Sequence, residues 1–344
     1  MKSHFLPQKV TATCAVAGAT TLLSGVAHAQ SFVAADYASN PIYSTGWSAG
    51  QNGGYGFGPW SFDGSNTNPP DGPYQFMSAA SPLGASWTLG VYALHSGLAN
   101  AGRAINEPGG LQPGQTFETV IQNPSSYVFF RGFDILFCNA TNNDPGGDGA
   151  AALRLSVFGY YDGALTDWAV TDGNPYNPDG TSTTLSYTNT AAAGLRIDLT
   201  LTSATNYSLA MTPLNGTTPY TLTGQLAPSW INQNTTSNVT ELPVNFVSYR
   251  LWNAPSSGTN DITDNFEITG MTIEGLPLNI QLAGTNAVLS WSDFPGFYLE
   301  SATSLGPTAI WTSNSISPND VNGEDFVTNP ITGHQQFFRL EFPQ

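Results

Sequence analysis

Hydrophobic and polar residues alternate along much of the chain, and the clearest alternation follows Gly194. Residues 195–201 read LRIDLTL, with Leu or Ile at every second position and Arg, Asp or Thr between them. A period of two places successive side chains on opposite faces of an extended strand, so one face is buried and the other meets polar surroundings. The pattern predicts a central strand of a β-sandwich.

Similar runs recur at short intervals, and turns rich in glycine and proline separate them. They lie at 87–95, 116–121, 128–137, 153–161, 220–226, 246–252 and 266–273. No stretch after the first thirty residues keeps a helical period for more than about two turns. The pattern therefore predicts an all-β protein built on a jelly-roll β-sandwich, with a second, smaller C-terminal β-sandwich domain.

The first 29 residues have the composition of a targeting segment. Lys2 and Lys9 precede an uncharged stretch over 10–26, and Ala27-His28-Ala29 supplies the small residues of a cleavage site. This order is typical of a secretory signal peptide, so we expect a secreted protein, extracellular or on the cell surface. No later apolar run approaches the ~20 residues that cross a bilayer, and we expect no membrane insertion.

Charge narrows the class of partner. Once the predicted leader is removed, six arginines stand against 24 acidic residues, a net charge of −18. Such a field repels nucleic acid and anionic lipid. Charged residues make up only 9% of the chain, so Ser, Thr, Asn and Gly carry most of the polar surface. That composition suits a neutral polysaccharide or cell-surface glycan as partner, and it equally suits other secreted β proteins.

Several motifs resemble those of a known fold family. The chain contains GGLQPGQTF, GLRIDLTLTSATNYSL, YTLTGQL and YRLWNAPSSGTNDITDNFEI, and between Asp36 and Trp60 it follows D-x6-Y-x2-G-W-x2-G-x-N-G-G-x-G-F-x2-W. Residues 36–275 thus resemble exported bacterial jelly-roll domains of the concanavalin A-like (LamG-like) lectin/glucanase type. The resemblance implies a sandwich that binds glycans or mediates adhesion.

Composition changes at Leu276-Pro277, which marks a predicted domain boundary. We expect a signal peptide over 1–29, a jelly-roll domain over 30–275 and a small β domain over 276–344. The last segment resembles small fibronectin type III-like modules through the pattern L-x-W-x4-G-F-x-L-E-S and a closing FFRL. Its aromatic residues are predicted to form its core, namely Trp291, Tyr298, Trp311 and Phe338.

No catalytic constellation is recognisable. Glycosidases use two carboxylates about 5–9.5 Å apart, and glucanases of the resembled fold carry them close together on one strand. No two glutamates lie within six residues of each other in a strand pattern after the leader. His95 lacks the partner motif of lyases of that fold, and Cys138 reads as a buried small hydrophobe. These absences argue against an enzyme.

Polar and aromatic residues fall on the non-core faces of three predicted strands. We expect those strands to be neighbours in one sheet, with Arg154, Arg196 and Arg250 on the same face, where rings could stack on sugars while charged groups bond hydroxyls. The alternative is cross-strand Arg–Asp pairing that stabilises a sheet without any ligand. The candidate ligand-binding residues are Arg154, Phe158, Tyr160, Arg196, Asp198, Arg250 and Trp252.

Two loops rich in Asp and Asn could hold a structural calcium ion. Calcium takes 6–8 oxygen ligands, which such residues supply, although neither loop has the EF-hand spacing and both compositions also suit simple turns. The candidate ligands are Asp144 and Asp148 in the first loop and Asn260, Asp261, Asp264 and Asn265 in the second.

The sequence therefore favours a secreted, non-catalytic carbohydrate-binding or adhesion protein. The alternatives are a structural spacer of the extracellular matrix or cell surface and, third, a polysaccharide-degrading enzyme. An aromatic groove would favour the binder, a flat polar surface the spacer, and two close carboxylates the enzyme.

Overall fold

The structure is a computed structural model of the 344-residue chain. It describes residues 14–17, 27–29, 32–66, 74–81, 84–91, 97–106, 110–122, 131–139, 153–161, 167–172, 183–188, 194–216, 218–227, 243–253, 264–276, 278–292, 297–305, 309–321, 323–331 and 335–341.

The chain divides into two compact units. The large unit comprises Ala34–Ile273. The small unit comprises Glu274–Gln344 together with Met1–Val33. Nearly all of the regular structure is β-strand, and a single turn of 3-10 helix occurs at Pro41–Tyr43 in the described residues. The prediction of an all-β fold is confirmed.

The strands of the first half are β1 (Cys14–Ala17), β2 (Ala27–Ala29), β3 (Phe32–Tyr37), β4 (Ser61–Asn66), β5 (Tyr74–Ser81), β6 (Gly84–Val91), β7 (Gly97–Ala104), β8 (Thr116–Gln122), β9 (Arg131–Cys138), β10 (Leu153–Tyr161), β11 (Asp167–Thr171) and β12 (Thr183–Thr188). Those of the second half are β13 (Leu195–Leu201), β14 (Asn206–Pro213), β15 (Tyr220–Gln225), β16 (Phe246–Asn253), β17 (Asp264–Glu274), β18 (Leu278–Ala283), β19 (Asn286–Ser292), β20 (Tyr298–Ala302), β21 (Thr312–Ser313), β22 (Asn319–Val321), β23 (Glu324–Pro330) and β24 (Gln335–Glu341).

Two sheets build the large unit. A seven-stranded sheet has the order β12-β11-β10-β9-β16-β7-β4. An eight-stranded sheet has the order β15-β14-β13-β8-β17-β6-β5, with β3 added beside β17. The runs β9 to β12, β13 to β15 and β5-β6 follow the sequence order, whereas β16, β7, β8 and β17 lie beside strands that are distant in sequence. This is the sandwich arrangement that the sequence predicted.

The inner faces of these sheets form one aromatic core. Phe133 of the seven-stranded sheet stacks on Phe266 of the other at 4.9 Å between ring centroids. Phe137 meets Phe117 edge to face at 5.2 Å. The hydroxyl of Tyr249 donates to Thr119 Oγ1 across the same interface at 2.9 Å. These contacts define the inner face of each strand, so the residues between them lie on the outer faces.

Alternation in β13 matches its burial. Leu195, Ile197 and Leu199 are fully buried, whereas Arg196 is exposed and Asp198 is half-buried. The nearly continuous apolar run in β9 is different, because residues 132–137 are all buried. A strand buried on both faces no longer needs alternation, and Asp134 is therefore a buried carboxylate in the middle of an apolar run.

The motif between Asp36 and Trp60 closes one end of this core. Arg103 of β7 is fully buried, and its Nη1 contacts Asp36 Oδ2 at 2.5 Å. Its Nη2 donates to Asn52 Oδ1 at 2.5 Å and its Nε donates to the carbonyl of Gly58 at 2.8 Å. The guanidinium also lies 4.8 Å from the ring centroid of Trp60. Residues of the motif thus surround the guanidinium of Arg103, a residue that lies outside the motif.

Close backbone approach explains one glycine of that motif. Ala35 and Tyr55 exchange two backbone hydrogen bonds at 3.0 Å. A Cβ added at Gly54 would lie 1.9 Å from the carbonyl oxygen of Ala35. Only glycine allows the two segments to come so close. Trp47, Phe57 and Trp60 are buried here and form part of the core.

The small unit has two sheets of its own. They have the orders β1-β24-β20-β21 and β2-β18-β19-β23-β22. Trp291 and Phe338 are buried in its core, as predicted. Tyr298 and Trp311 are only half-buried, and the Arg339 guanidinium lies 4.5 Å from the Trp311 ring centroid. For these two residues the core prediction is wrong.

Residues of the predicted leader pair within the small unit. β1 lies antiparallel to β24 and β2 antiparallel to β18. Cleavage of residues 1–29 and export both stay predictions, as do the domain boundaries. Within the described part of the chain, the helical residues form no segment with the length and apolarity needed to cross a bilayer.

Alkaline conditions are expected to destabilise the large unit. Burial, with the Asp36 carboxylate beside the hydroxyl, raises the pKa of Tyr43 from 10.0 to about 12. Burial also raises the pKa of Tyr207 and Tyr249, and it raises that of the Cys138 thiol from 9.0 to about 12. The unfolded chain then releases protons at a lower pH than the folded chain, so this stability is complete below about pH 9 and falls as pH rises toward 12.

Urea unfolding at pH 8, 9, 10 and 11 measures the effect. Tyr249→Phe removes one of the titrating groups, so its free energy of unfolding should fall less steeply above pH 10 than that of the parent. A parent whose stability is unchanged between pH 8 and 11 would contradict the prediction.

Candidate functional site

One row of side chains crosses the outer face of the seven-stranded sheet. Cα pairing places five residues directly opposite one another on consecutive strands, and we call this row the polar strip. It consists of Phe158 (β10), Asp134 (β9), Arg250 (β16), Asn100 (β7) and Asp63 (β4). The neighbouring residues on each strand point into the core, which fixes the strip on the outer face.

An ion pair organises the centre of the strip. Arg250 Nε donates to Asp134 Oδ2 at 2.7 Å, and Arg250 Nη2 donates to the same oxygen. The Asp134 side chain is 4% exposed and that of Arg250 is 29% exposed. A guanidinium carries five N–H donors, so three remain for which the described residues supply no acceptor. Asp134 therefore orients a cation whose other donors are available to a ligand.

Both ends of the strip are accessible. Phe158 is half-buried beside the ion pair, and Asp63 is exposed. Asn100 between them is buried and accepts a hydrogen bond from Ser248 Oγ. With strands about 4.8 Å apart, the five residues span about 19 Å. The strip thus combines an aromatic ring, oriented N–H donors and a carboxylate along one line.

The outer face beyond this row is covered. Ser156, Ser248 and Leu136 are buried, and Arg154 is 1% exposed. We expected Arg154 on an open binding face, and that expectation is wrong, since a fully buried guanidinium does not meet a ligand at the surface. Among the described residues of this face, the accessible side chains of Phe158, Arg250 and Asp63 therefore belong to the strip.

The prediction that Arg154, Arg196 and Arg250 share one sheet is also wrong. Arg196 lies on β13 of the eight-stranded sheet, whereas the other two lie on the seven-stranded sheet. Arg196 Nε contacts Asp198 Oδ2 at 3.0 Å and Glu118 Oε2 at 4.0 Å. Arg196 therefore pairs along its own strand and with Glu118 of β8, whereas the cross-strand Arg–Asp pairing that the sequence left open is found between Arg250 and Asp134. Alternation reports the face of a strand but not the sheet to which it belongs, which explains the error.

For two other predicted ligand-binding residues, the structure describes the strand pairing but not the side chains. Tyr160 of β10 and Trp252 of β16 both stand opposite Gly132 of β9, which lies two residues before Asp134 along that strand. Their side chains lie outside the described residues, so their part in binding stays a prediction.

The predicted calcium ligands also fall largely outside the described residues. Asp144, Asp148, Asn260 and Asp261 lie there entirely, and only the main chain of Asp264 and Asn265 is described, at the start of β17. Over the described ranges, no three His, Cys, Asp or Glu side chains group as metal ligands would. Calcium at these loops stays a prediction.

Carboxylate spacing decides what the strip can do chemically. Asp63 and Asp134 are the carboxylates of this sheet whose side chains are described, and three pairing steps separate them. That separation is about 14 Å, which exceeds the 5–9.5 Å used by glycosidases. Asp134 is in addition bound to Arg250. The arrangement suits recognition of hydroxyl groups better than acid–base chemistry.

Comparison with known proteins adds similarities of fold. No family model matches the sequence. No curated protein matches it either. A solved carbohydrate esterase from a Shiga toxin-encoding bacteriophage shares 12% identity over 63% of this chain and 89% of that chain, with a TM-score of 0.38.

Two further solved structures are similar to the same degree. A glycosyl hydrolase family 16 protein from Mycobacterium smegmatis shares 15% identity over 71% of this chain and 100% of that chain, at a TM-score of 0.37. A legume lectin-like domain from Entamoeba histolytica shares 9% identity over 63% of this chain and 89% of that chain, with a TM-score of 0.36. Scores this low say nothing about ligand or activity, so the functional argument rests on the strip.

Sequence reasoning missed three members of the strip. Asp134 lies inside the apolar run FFRGFDILFC, where one polar residue reads as an interruption. Asn100 and Asp63 lie on strands rich in glycine and small residues, where alternation is weak. The one available signal was Asp134 itself, because a carboxylate within a buried strand requires a partner.

Proposed function

We propose that the protein binds a neutral polysaccharide or cell-surface glycan along the polar strip without cleaving it. The observation that carries the proposal is the Arg250 guanidinium, which Asp134 holds with three N–H donors that no described residue accepts, while Phe158 stands opposite Asp134 on the next strand. Sugar hydroxyls accept such hydrogen bonds, and the apolar face of a sugar ring packs on an aromatic side chain.

Charge supports a neutral ligand. The strip pairs its one described cation with Asp134 and ends at the exposed carboxylate of Asp63. The whole chain carries a formal charge of −16. A polyanionic glycan would meet repulsion both from Asp63 and from the overall field. A neutral glycan is not opposed in this way and can use Arg250 and Asp63 as donor and acceptor.

Phe158→Ala is expected to weaken glycan retention. Aromatic contacts are worth about 0.5–1.5 kcal/mol, which corresponds to a rise of about 2- to 13-fold in the dissociation constant. Affinity electrophoresis through gels that contain the glycan measures the change. Phe76→Ala is the matched control, because Phe76 is 38% exposed on the eight-stranded sheet and is absent from the strip. Equal retention of the two variants would count against the strip.

A glycan array, probed with the full chain in calcium and in chelator, identifies the ligand. Binding to neutral glycans that withstands moderate salt would support the proposal. Preference for uronic acids or sulfated glycans would contradict it. Absence of binding to every glycan would favour the structural spacer.

A further inference from the structure

The five-stranded sheet of the small unit has two unequal edges. One edge is β22, which is three residues long and has Asp320 at its centre. Short edge strands and charged side chains are two ways in which natural sheets prevent pairing with another chain. Towards the other edge, β18 has the sequence LNIQLA, with six residues, no charge and no proline. There the three residues of β2 cover the strand and supply the protection that β18 itself lacks.

The strand β2 belongs to the segment that the predicted cleavage removes. Its residues Ala27–Ala29 stand opposite Leu278, Asn279 and Ile280 of β18. Cleavage after Ala29 takes β2 away, and β18 then becomes the edge of the sheet. The backbone N–H and C=O groups on that side of an edge strand form a template for a further strand. The mature small unit therefore presents an uncharged strand to which another strand can add.

The part of β18 that β2 does not reach carries an exposed apolar side chain. Leu282 is exposed, although alternation places it on the same face of the strand as the buried Leu278 and Ile280. This end of the strand thus extends the apolar face of the sheet beyond the small unit's own core. A strand that adds here covers Leu282 if it brings an apolar side chain to the opposite position.

A second copy of β18 brings such a side chain. Two antiparallel copies centred on Ile280 place Leu278 of each copy opposite Leu282 of the other, and Ile280 opposite Ile280. Opposite residues of antiparallel strands share a face, so three apolar pairs continue the buried face of the sheet. On the other face Asn279 stands opposite Gln281, and each amide offers both a donor and an acceptor. No like charges meet in this register, because β18 has none.

We propose that removal of the leader lets two copies of the chain pair through β18 into one continuous sheet. The second copy uses the backbone positions that β2 occupies in the full chain, so the leader and the second copy exclude each other. The pairing goes beyond glycan binding and is independent of it, since the polar strip lies in the large unit. The chain's formal charge of −16 opposes association, so salt, which screens that repulsion, should strengthen the dimer.

Light scattering over a concentration series tests the proposal on the full chain and on the chain that begins at Gln30. We expect the full chain to be monomeric and the shorter chain to dimerise, more strongly at high salt. In the shorter chain, Leu282→Asp should raise the dissociation constant of the dimer about 10-fold or more, because it buries a carboxylate opposite Leu278. Val321→Asp is the matched control, since Val321 is 52% exposed and Leu282 50%, on opposite sides of the same sheet.

A second variant tests the pairing without truncation. The full chain with His28→Pro and Ala29→Pro loses at least one N–H that faces β18, because successive N–H groups of a strand point to opposite sides. It should dimerise, and Leu282→Asp should reverse this. Monomers for both the shorter chain and the proline variant, or a full chain that dimerises as strongly as they do, would overturn the proposal. So would equal effects of Leu282→Asp and Val321→Asp.

Discussion

Replacing Arg103 by methionine is expected to lower the free energy of unfolding of the large unit by about 3–5 kcal/mol. Arg103 and Asp36 are both fully buried and in contact at 2.5 Å. Methionine keeps much of the side-chain volume but leaves Asp36 as a buried charge, whose partners among the described residues are then the Tyr43 hydroxyl at 2.5 Å and the Tyr37 N–H at 2.9 Å. The same change removes the two hydrogen bonds by which Arg103 holds Asn52 and Gly58 in the segment before β4.

A double-mutant cycle separates the charge pair from packing. Asp36→Asn alone leaves the Arg103 charge buried, whereas Arg103→Met with Asp36→Asn leaves no buried charge. The double variant should therefore be more stable than the sum of the two single effects implies. Calorimetry of the full chain records the large unit's transition, and strictly additive effects would show that the pair is not coupled.

Arg250→Met is the second variant with a large expected effect, because it should damage stability and binding together. It leaves the nearly buried Asp134 without its cation, which should cost about 1–3 kcal/mol. The loss is smaller than at Arg103 because the Arg250 side chain is 29% exposed. The same change removes the N–H donors proposed to meet the glycan.

Adding Asp134→Leu separates the two effects. Arg250→Met with Asp134→Leu leaves no buried charge and places an apolar residue among apolar neighbours, so stability should recover toward that of the parent. Binding should stay lost. Recovery of both properties would show that the pair only stabilises the sheet.

Local pattern predicted the strands well because alternation is a property of each strand alone. The run over 195–201 became β13 with the expected faces, since Leu and Ile at every second position leave one arrangement that buries them. Sheet membership depends on connections that bring distant segments together, and nothing in LRIDLTL specifies whether β8 or β9 will be its neighbour. Arg196 was therefore assigned to the wrong sheet.

The candidate site was harder to predict because its key contacts are distant in sequence. Arg250 pairs with Asp134, 116 residues away, and Arg103 pairs with Asp36, 67 residues away. Arg250 was selected from its face, but neither acidic partner was recognised.

Affinity electrophoresis of three proteins side by side tests the central claim most directly, in gels that contain the glycan selected on the array. They are the parent, the Arg250→Met/Asp134→Leu variant, and Arg196→Gln, which alters an exposed arginine on the other sheet. The account predicts retardation of the parent and of Arg196→Gln, and free migration of the double variant at a melting temperature near that of the parent. Retardation of the double variant equal to that of the parent would contradict glycan binding on the polar strip.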